Sequence, residues 1–185
     1  MTLLENRPDG YCNIVESLMN KGAKLTSSGA GESPLYVALR YKSFGNTEYF
    51  IEKGLCTDRN TSDGSTPLHY AAQFGNGNIV KLLLDAGLDV IDINLDRKIP
   101  LHLAATQGSI EVVQTLLDRD ADIVEKDKNW DTALHLAVSR GNLDIVKVLV
   151  KRGAFSCHKN LKGFTVYDLA DQNANKHIYQ CLLVN

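Results

Sequence analysis

One phrase returns through this chain at a fixed interval. Thr66-Pro67-Leu68-His69-Tyr70-Ala71-Ala72 is followed by Ile99-Pro100-Leu101-His102-Leu103-Ala104-Ala105 and then by Thr132-Ala133-Leu134-His135-Leu136-Ala137-Val138, each copy 33 residues after the last. The period extends upstream to Ser33-Pro34-Leu35-Tyr36-Val37-Ala38 and downstream to Thr165-Val166-Tyr167-Asp168-Leu169-Ala170. Three of the four prolines and three of the five histidines obey it. Self-similarity at such a period restricts the fold to a stack of like units, each burying its apolar side on its neighbours.

The unit from Thr66 to Gly87 shows the physics. Thr66 suits an N-cap, its hydroxyl accepting from an orphan backbone N–H. Pro67 then takes the first helical position, where a missing N–H costs nothing. Leu68, Ala71 and Ala72 fall at helical spacing, and Gly75 ends this short helix. A second helix follows, with Ile79, Val80, Leu83 and Leu84 as its apolar stripe and Gly87 closing it in the left-handed conformation. A connection rich in Asp and Asn leads to the next unit. Neither helix can bury its stripe within one unit.

The period and the Thr-Pro-Leu-His-x-Ala phrase resemble the ankyrin repeat. The resemblance implies an all-α ankyrin-repeat solenoid: paired antiparallel helices joined by β-hairpin-like loops that project from one edge. It covers nearly the whole chain, read as one domain over 1–185 with units at 28–60, 61–93, 94–126, 127–159 and 160–185. A partial unit, 1–27, precedes them, with an outer-helix pattern from Cys12 to Gly22. Either a truncated cap or a cut from a longer array accounts for it.

The units depart from the pattern at identifiable places. In 28–60, Lys42 holds the glycine position between helices and Asn46 the first apolar position of the outer helix. Gly77 replaces an outer-helix aliphatic, where an interior glycine would cost roughly 0.5–1 kcal/mol relative to alanine. Ile99 displaces the capping threonine, and Asp120 stands where Gly54, Gly87 and Gly153 end the sister helices. Trp130 occupies the place of Gly31, Gly64 and Gly163. In the last unit Asp168 replaces the histidine, and Asn173, Asn175, Lys176, His177 and Gln180 supply the polar outer face that a terminal unit needs.

Charge and composition exclude several classes. A net charge of −2 offers no basic stripe for nucleic acid. No apolar run approaches the ~20 residues of a membrane span, and Glu5 and Arg7 interrupt any leader-like core. Cys12, Cys56, Cys157 and Cys181 are far apart and include no Cys-x-x-Cys, which is the usage of a reduced, cytoplasmic protein. Nuclear or host-cell delivery is compatible with the same usage, and the chain is read as monomeric.

Catalytic and metal chemistry find no support. Packed helices lie about 8–10 Å apart, so His69, His102 and His135 in successive units cannot share an ion whose bonds to nitrogen are about 2 Å. The resemblance implies instead that each braces the loop backbone. Cys157-His158 lacks an orienting third group. Phosphate-loop, zincin and nucleophile-elbow motifs are missing. Asp85, Asp118 and Asp122 read as solvated helix-end charges. Ile91, Val124 and Cys157 stand where some relatives carry a hydroxylated asparagine, so that modification is not carried over. No cofactor and no metal are expected.

The implied function is therefore a module or adaptor that binds a partner protein on a concave face, without catalysis. The alternative is an ankyrin segment of a larger enzyme, channel or secreted bacterial effector whose activity lies elsewhere. By the resemblance, the residues before the inter-helix glycine point into the concavity: Arg40 and Tyr41, Gln73 and Phe74, Thr106 and Gln107, Ser139 and Arg140. The loops leading into the inner helices add Arg97, Trp130 and Phe164. Trp, Tyr and Arg are over-represented in binding hot spots.

Overall fold

The computed structural model describes residues 34–54, 61–107, 109–173 and 175–183. The partial unit 1–27, Gly31 and the cysteines Cys12 and Cys56 lie outside the described residues. Helices alternate inner and outer. The inner helices are α1 (Pro34–Arg40), α3 (Pro67–Phe74), α5 (Pro100–Gln107), α7 (Ala133–Arg140) and α9 (Val166–Gln172). The outer helices are α2 (Phe44–Glu52), α4 (Gly77–Asp85), α6 (Ile110–Asp118), α8 (Leu143–Lys151) and α10 (Lys176–Leu183). Each inner helix packs on the inner helices of the adjoining units and on its own outer helix, and the outer helices form a second row. This is the all-α solenoid that the period requires.

The core runs between the two rows. Leu68, Ala72, Ile79, Val80 and Leu83 are fully buried, and so are their successors Leu101, Ala105, Val112, Val113 and Leu116. Fully burying each of the larger aliphatic side chains stabilises the stack by about 1.5–3 kcal/mol before chain entropy is subtracted. The alanines at the inner-helix positions let neighbouring helices approach.

The caps follow the sequence closely. Thr66, Thr132 and Thr165 each start an inner helix in extended conformation, with the side chain accepting from the backbone N–H of His69, His135 or Asp168. The His and Asp side chains answer by accepting from the cap residue's own N–H, which closes a capping box. Asp168 thus replaces histidine as an acceptor. Its two bonds from the Thr165 hydroxyl and N–H hold its carboxyl below the usual range.

Helix ends need positive φ, and the chain supplies it with or without glycine. Gly75 and Gly141 close inner helices at φ 70° and 76°, while Lys42 does so at 54°. Asp120 takes φ 64° where Gly87 and Gly153 take 88° and 90°. There the Ala121 N–H reaches back to the Leu116 carbonyl and the Asp120 N–H to Leu117, satisfying the last turn of α6.

Two expectations are corrected. Gly77 is not interior: it is the first residue of α4, and the Asn76 side chain caps the helix by accepting from the Ile79 N–H at 3.1 Å. The interior penalty does not apply, and a Cβ there would meet the Glu111 carboxyl at 2.2 Å. Asp85 and Asp118 are not merely solvated. They pair with Arg119 and Arg152 of the following units, in a ladder along the outer helices. Both pairs are largely exposed and contribute little each. Asp122 instead accepts from the Val124 N–H in a local turn.

Candidate protein-binding face

The connections between units end in tight turns, and these place the residues of interest. In successive units Asn94, Asp127 and Asn160 accept, through a side-chain oxygen, two backbone N–H bonds: from Asp96 and Lys98, from Asn129 and Asp131, and from Lys162 and Phe164. The turn closes with the N–H of Gly64, Arg97, Trp130 and Gly163 donating to Thr61, Asn94, Asp127 and Asn160. All four closing residues have positive φ: 69°, 57°, 61° and 80°. Such a turn followed by a left-handed residue is a common hairpin connection that favours glycine. No strand forms among the described residues, so the hairpin-like loops are turns joined by single rungs. Leu95, Lys128 and Leu161 each donate a backbone N–H to the tip before, at Asp63, Asp96 and Asn129.

The repeated histidines hold the tips to the helices. His69 Nε2 donates to the Lys98 carbonyl at 2.7 Å while Nδ1 accepts from the Thr66 N–H at 3.2 Å. His102 Nε2 lies 3.2 Å from both the Glu125 and Asp131 carbonyls, and His135 Nε2 lies 3.0 Å from that of His158. One ring nitrogen donates and the other accepts, so each imidazole is required neutral. Burial, the leading cause, pushes His102 and His135 below the usual histidine value. Among the described residues no group of His, Cys, Asp or Glu converges as a metal would need.

Asn94 and Asn160 also donate back to the preceding unit, to Ser65 Oγ and Asp131 Oδ1. Asp127, in the same position, lacks the amide donor of asparagine, and its Oδ2 is buried without a hydrogen-bond partner. The Asp127 charge does act on His102, partly opposing the effect of burial.

The tips and the inner helices share one face. Burial, and after it the Asp63 charge at its own tip, pushes the Tyr70 hydroxyl up, while Arg40 on α1 opposes them. Farther along, one cleft is lined by Asn129, Asp131 and Lys162 from two tips together with Ser139 and Leu169 from α7 and α9. Tyr41, Gln107 and Arg140 stand exposed at the inner-helix ends, Tyr41 most of all at 76%. Gln73 and Phe74 are half-buried. Phe74 rests on Tyr70 (5.9 Å between centroids), which meets Tyr36 edge-on at 4.7 Å.

Other sequence candidates are partly committed. The Thr106 hydroxyl donates to the His102 carbonyl, and Arg97 pairs with Glu125 at 3.4 Å. Trp130 is 53% exposed, with the Lys126 ammonium 5.6 Å above its ring. Phe164 follows the left-handed position instead of occupying it, and lines the cleft half-buried. Sequence reasoning missed a half-buried apolar row on the inner helices: Tyr70, Leu103, Leu136 and Leu169. Its signal was the unassigned x of the repeated phrase. It also missed Leu95 and Leu161, exposed at the tips.

A family model of ankyrin repeats, in three copies, matches residues 6–96, 47–127 and 101–185. The chain belongs to the ankyrin-repeat family. No curated protein matches it significantly. Ankyrin repeats are generally protein–protein interaction modules and typically non-catalytic. The tips and inner helices described above are those of a helical ankyrin stack, in which no helix among the described residues is long and apolar enough to cross a membrane.

Proposed function

We propose that this protein is a non-catalytic binding module whose partner is another protein, held on the face formed by the tips and inner helices. Arg40, Tyr41, Gln73, Phe74, Arg97, Gln107, Trp130, Arg140 and Phe164 are its candidate contacts. The observation that supports this most is the backbone at Arg97 and Trp130. Both hold positive φ where the units on either side use glycine. A left-handed backbone costs a non-glycine residue about 1–2 kcal/mol. Strain of that kind concentrates at functional sites. Here it holds a guanidinium and an indole at adjacent tips, where they serve contact better than folding.

The test separates the two roles. Arg97→Gly and Trp130→Gly are expected to leave thermal stability unchanged or raise it slightly, while weakening partner binding by about 2 kcal/mol at Trp130. Cross-linking of the partner in cells, followed by peptide mapping, is expected to place its contacts on the tips and inner helices. Cross-links confined to the outer helices α2, α4, α6, α8 and α10 would overturn the reading.

A further inference from the structure

We infer that the C-terminal half of this face takes an extended acidic segment of a partner protein, with aliphatic or aromatic side chains between its carboxylates. The inference rests on the protein-binding reading above and adds the chemistry of what is bound.

Charge varies from tip to tip, with Asp127, Lys128 and Asp131 at residues 127–131 and Lys98 beside Asp96 and Arg97 at residues 94–98. The tip of unit 61–93 carries Asp63 and no cation between residues 61 and 65. In the next, the ionic side chains Asp96 and Arg97 are engaged across the junction by Lys128 and Glu125. The last tip carries Lys159 and Lys162 with no carboxylate between residues 159 and 164. Among the described residues, the side chains of Arg140 and Lys162 enter no ion pair or hydrogen bond. Both are exposed. Lys126 adds a third cation, held over the Trp130 ring. The one carboxylate in the cleft, Asp131, already accepts from Asn160 at 2.8 Å. This basic end belongs to a chain whose net charge is −2, so it is not the spill-over of a basic protein.

The cleft beside these cations mixes polar side chains, Asn129, Ser139, Asn160 and Gln172, with apolar ones. Leu161 is 57% exposed and lines the cleft with Phe164 and Leu169. Trp130 lies between the lining residues Asn129 and Asp131. An extended segment alternates its side chains, so apolar groups can enter the cleft while carboxylates meet the cations at the rim. A nucleic-acid strand suits the site less well, because Arg140, Lys162 and Lys126 are few and set beside Leu161, Phe164 and Leu169, whereas a strand carries a phosphate at every nucleotide.

Trp130 is the single tryptophan of the chain and sits at the tip that gives Asn129 and Asp131 to the cleft, so fluorescence excited beyond tyrosine absorption reports on this tip. The probe is a synthetic peptide alternating Asp or Glu with Leu and Phe and lacking Trp. It is expected to change Trp130 emission saturably, with an affinity that falls as salt is raised. The double variant Arg140→Glu, Lys162→Glu is expected to weaken that affinity at least about tenfold, two charge reversals at a contact surface being well above the threshold of a neutral rim residue. The double variant Lys151→Glu, Lys176→Glu makes the same change in net charge on the outer helices α8 and α10 and is expected to bind as the parent does. Circular dichroism checks that both variants fold. Equal loss in the two variants overturns the inference, as does equal competition by single-stranded DNA. If the peptide remade with Asn and Gln binds equally well, the acidic chemistry is overturned while the face remains a protein-binding surface. If no peptide alters Trp130 emission the inference also fails, and the cross-linking map alone then judges the broader reading.

Discussion

Asp120 holds its backbone at φ 64° in a position that sister units give to glycine. Its side chain only borders a shallow surface with Ala121, Asp122 and Arg152. Asp120→Gly is therefore expected to stabilise the protein by about 0.5–1 kcal/mol, relief of the left-handed strain outweighing glycine's greater freedom in the unfolded chain. Chemical denaturation measures it, and a clear loss would mean that the carboxylate makes a stabilising contact. The histidines behave differently at the same scale. Burial holds the folded values of His102 and His135 below the ordinary 6.5, against the opposing effect of nearby Asp charges and of the bonds to backbone carbonyls. The unfolded chain then binds protons first as pH falls. Stability is fully present above about 6.5 and is lost as pH falls below it through the folded values. Melting temperature is expected to drop between neutral and mildly acid pH, and His135→Gln to flatten that dependence. A melting temperature constant over this range would contradict the assignment. Asp63 contributes in a separate, more acid window. Burial raises its value, but bonds from Ser65 and Thr61 outweigh it and hold the carboxyl below 3.8, so that contribution is lost only as pH falls through the lower folded value.

At the scale of the element, each inner helix is too short to stand alone in water, where about 12–15 residues are marginal. Caps, the histidine brace and burial between neighbours make it stable. Phe74 shows how packing and function overlap on such a helix. From sequence its polar sisters Gln107, Arg140 and Asn173 mark the position as free of any demand for an apolar side chain. The structure adds a contact with Tyr70, itself packed on Tyr36. Phe74→Ala is accordingly expected to lower stability by about 0.5–1.5 kcal/mol, the worth of one aromatic pair. Partner binding is expected to fall by about 2 kcal/mol or more. A variant that melts much lower yet binds normally would assign Phe74 to the core.

For the whole molecule, the stack is a row of nearest-neighbour junctions, and stability depends on where a junction is weakened. Leu116 is fully buried in a unit flanked on both sides, whereas Leu182 lies in α10, packed against α8 on one side. Leu116→Ala is expected to cost about 2–5 kcal/mol and to lower the main transition. Leu182→Ala is expected to fray the last unit first, with amide protection lost in α9 and α10 while α3 to α6 stay protected. Hydrogen exchange read helix by helix distinguishes the two. Uniform loss of protection in both variants would show that the array unfolds as a single cooperative block.

The bracing role of the histidines, whose Nε2 bonds reach backbone carbonyls in the connection that follows, came from the resemblance to the ankyrin repeat. The repeat period, the caps at Thr66, Thr132 and Thr165 and the left-handed end at Asp120 were legible in the residues themselves. They were legible because they depend on residue type at fixed local spacing, which is where helix propensity and capping chemistry act. The resemblance placed Tyr41, Gln107 and Arg140 at the inner-helix ends, where the structure leaves all three exposed. The sequence could not show that Asp85 and Asp118 reach arginines one unit on, that Arg97 and Lys128 are engaged by carboxylates while Arg140 and Lys162 are not, or that Phe74 lies on Tyr70. Those facts depend on the distance between units and on the direction each side chain takes across a junction, and only the packed stack decides them.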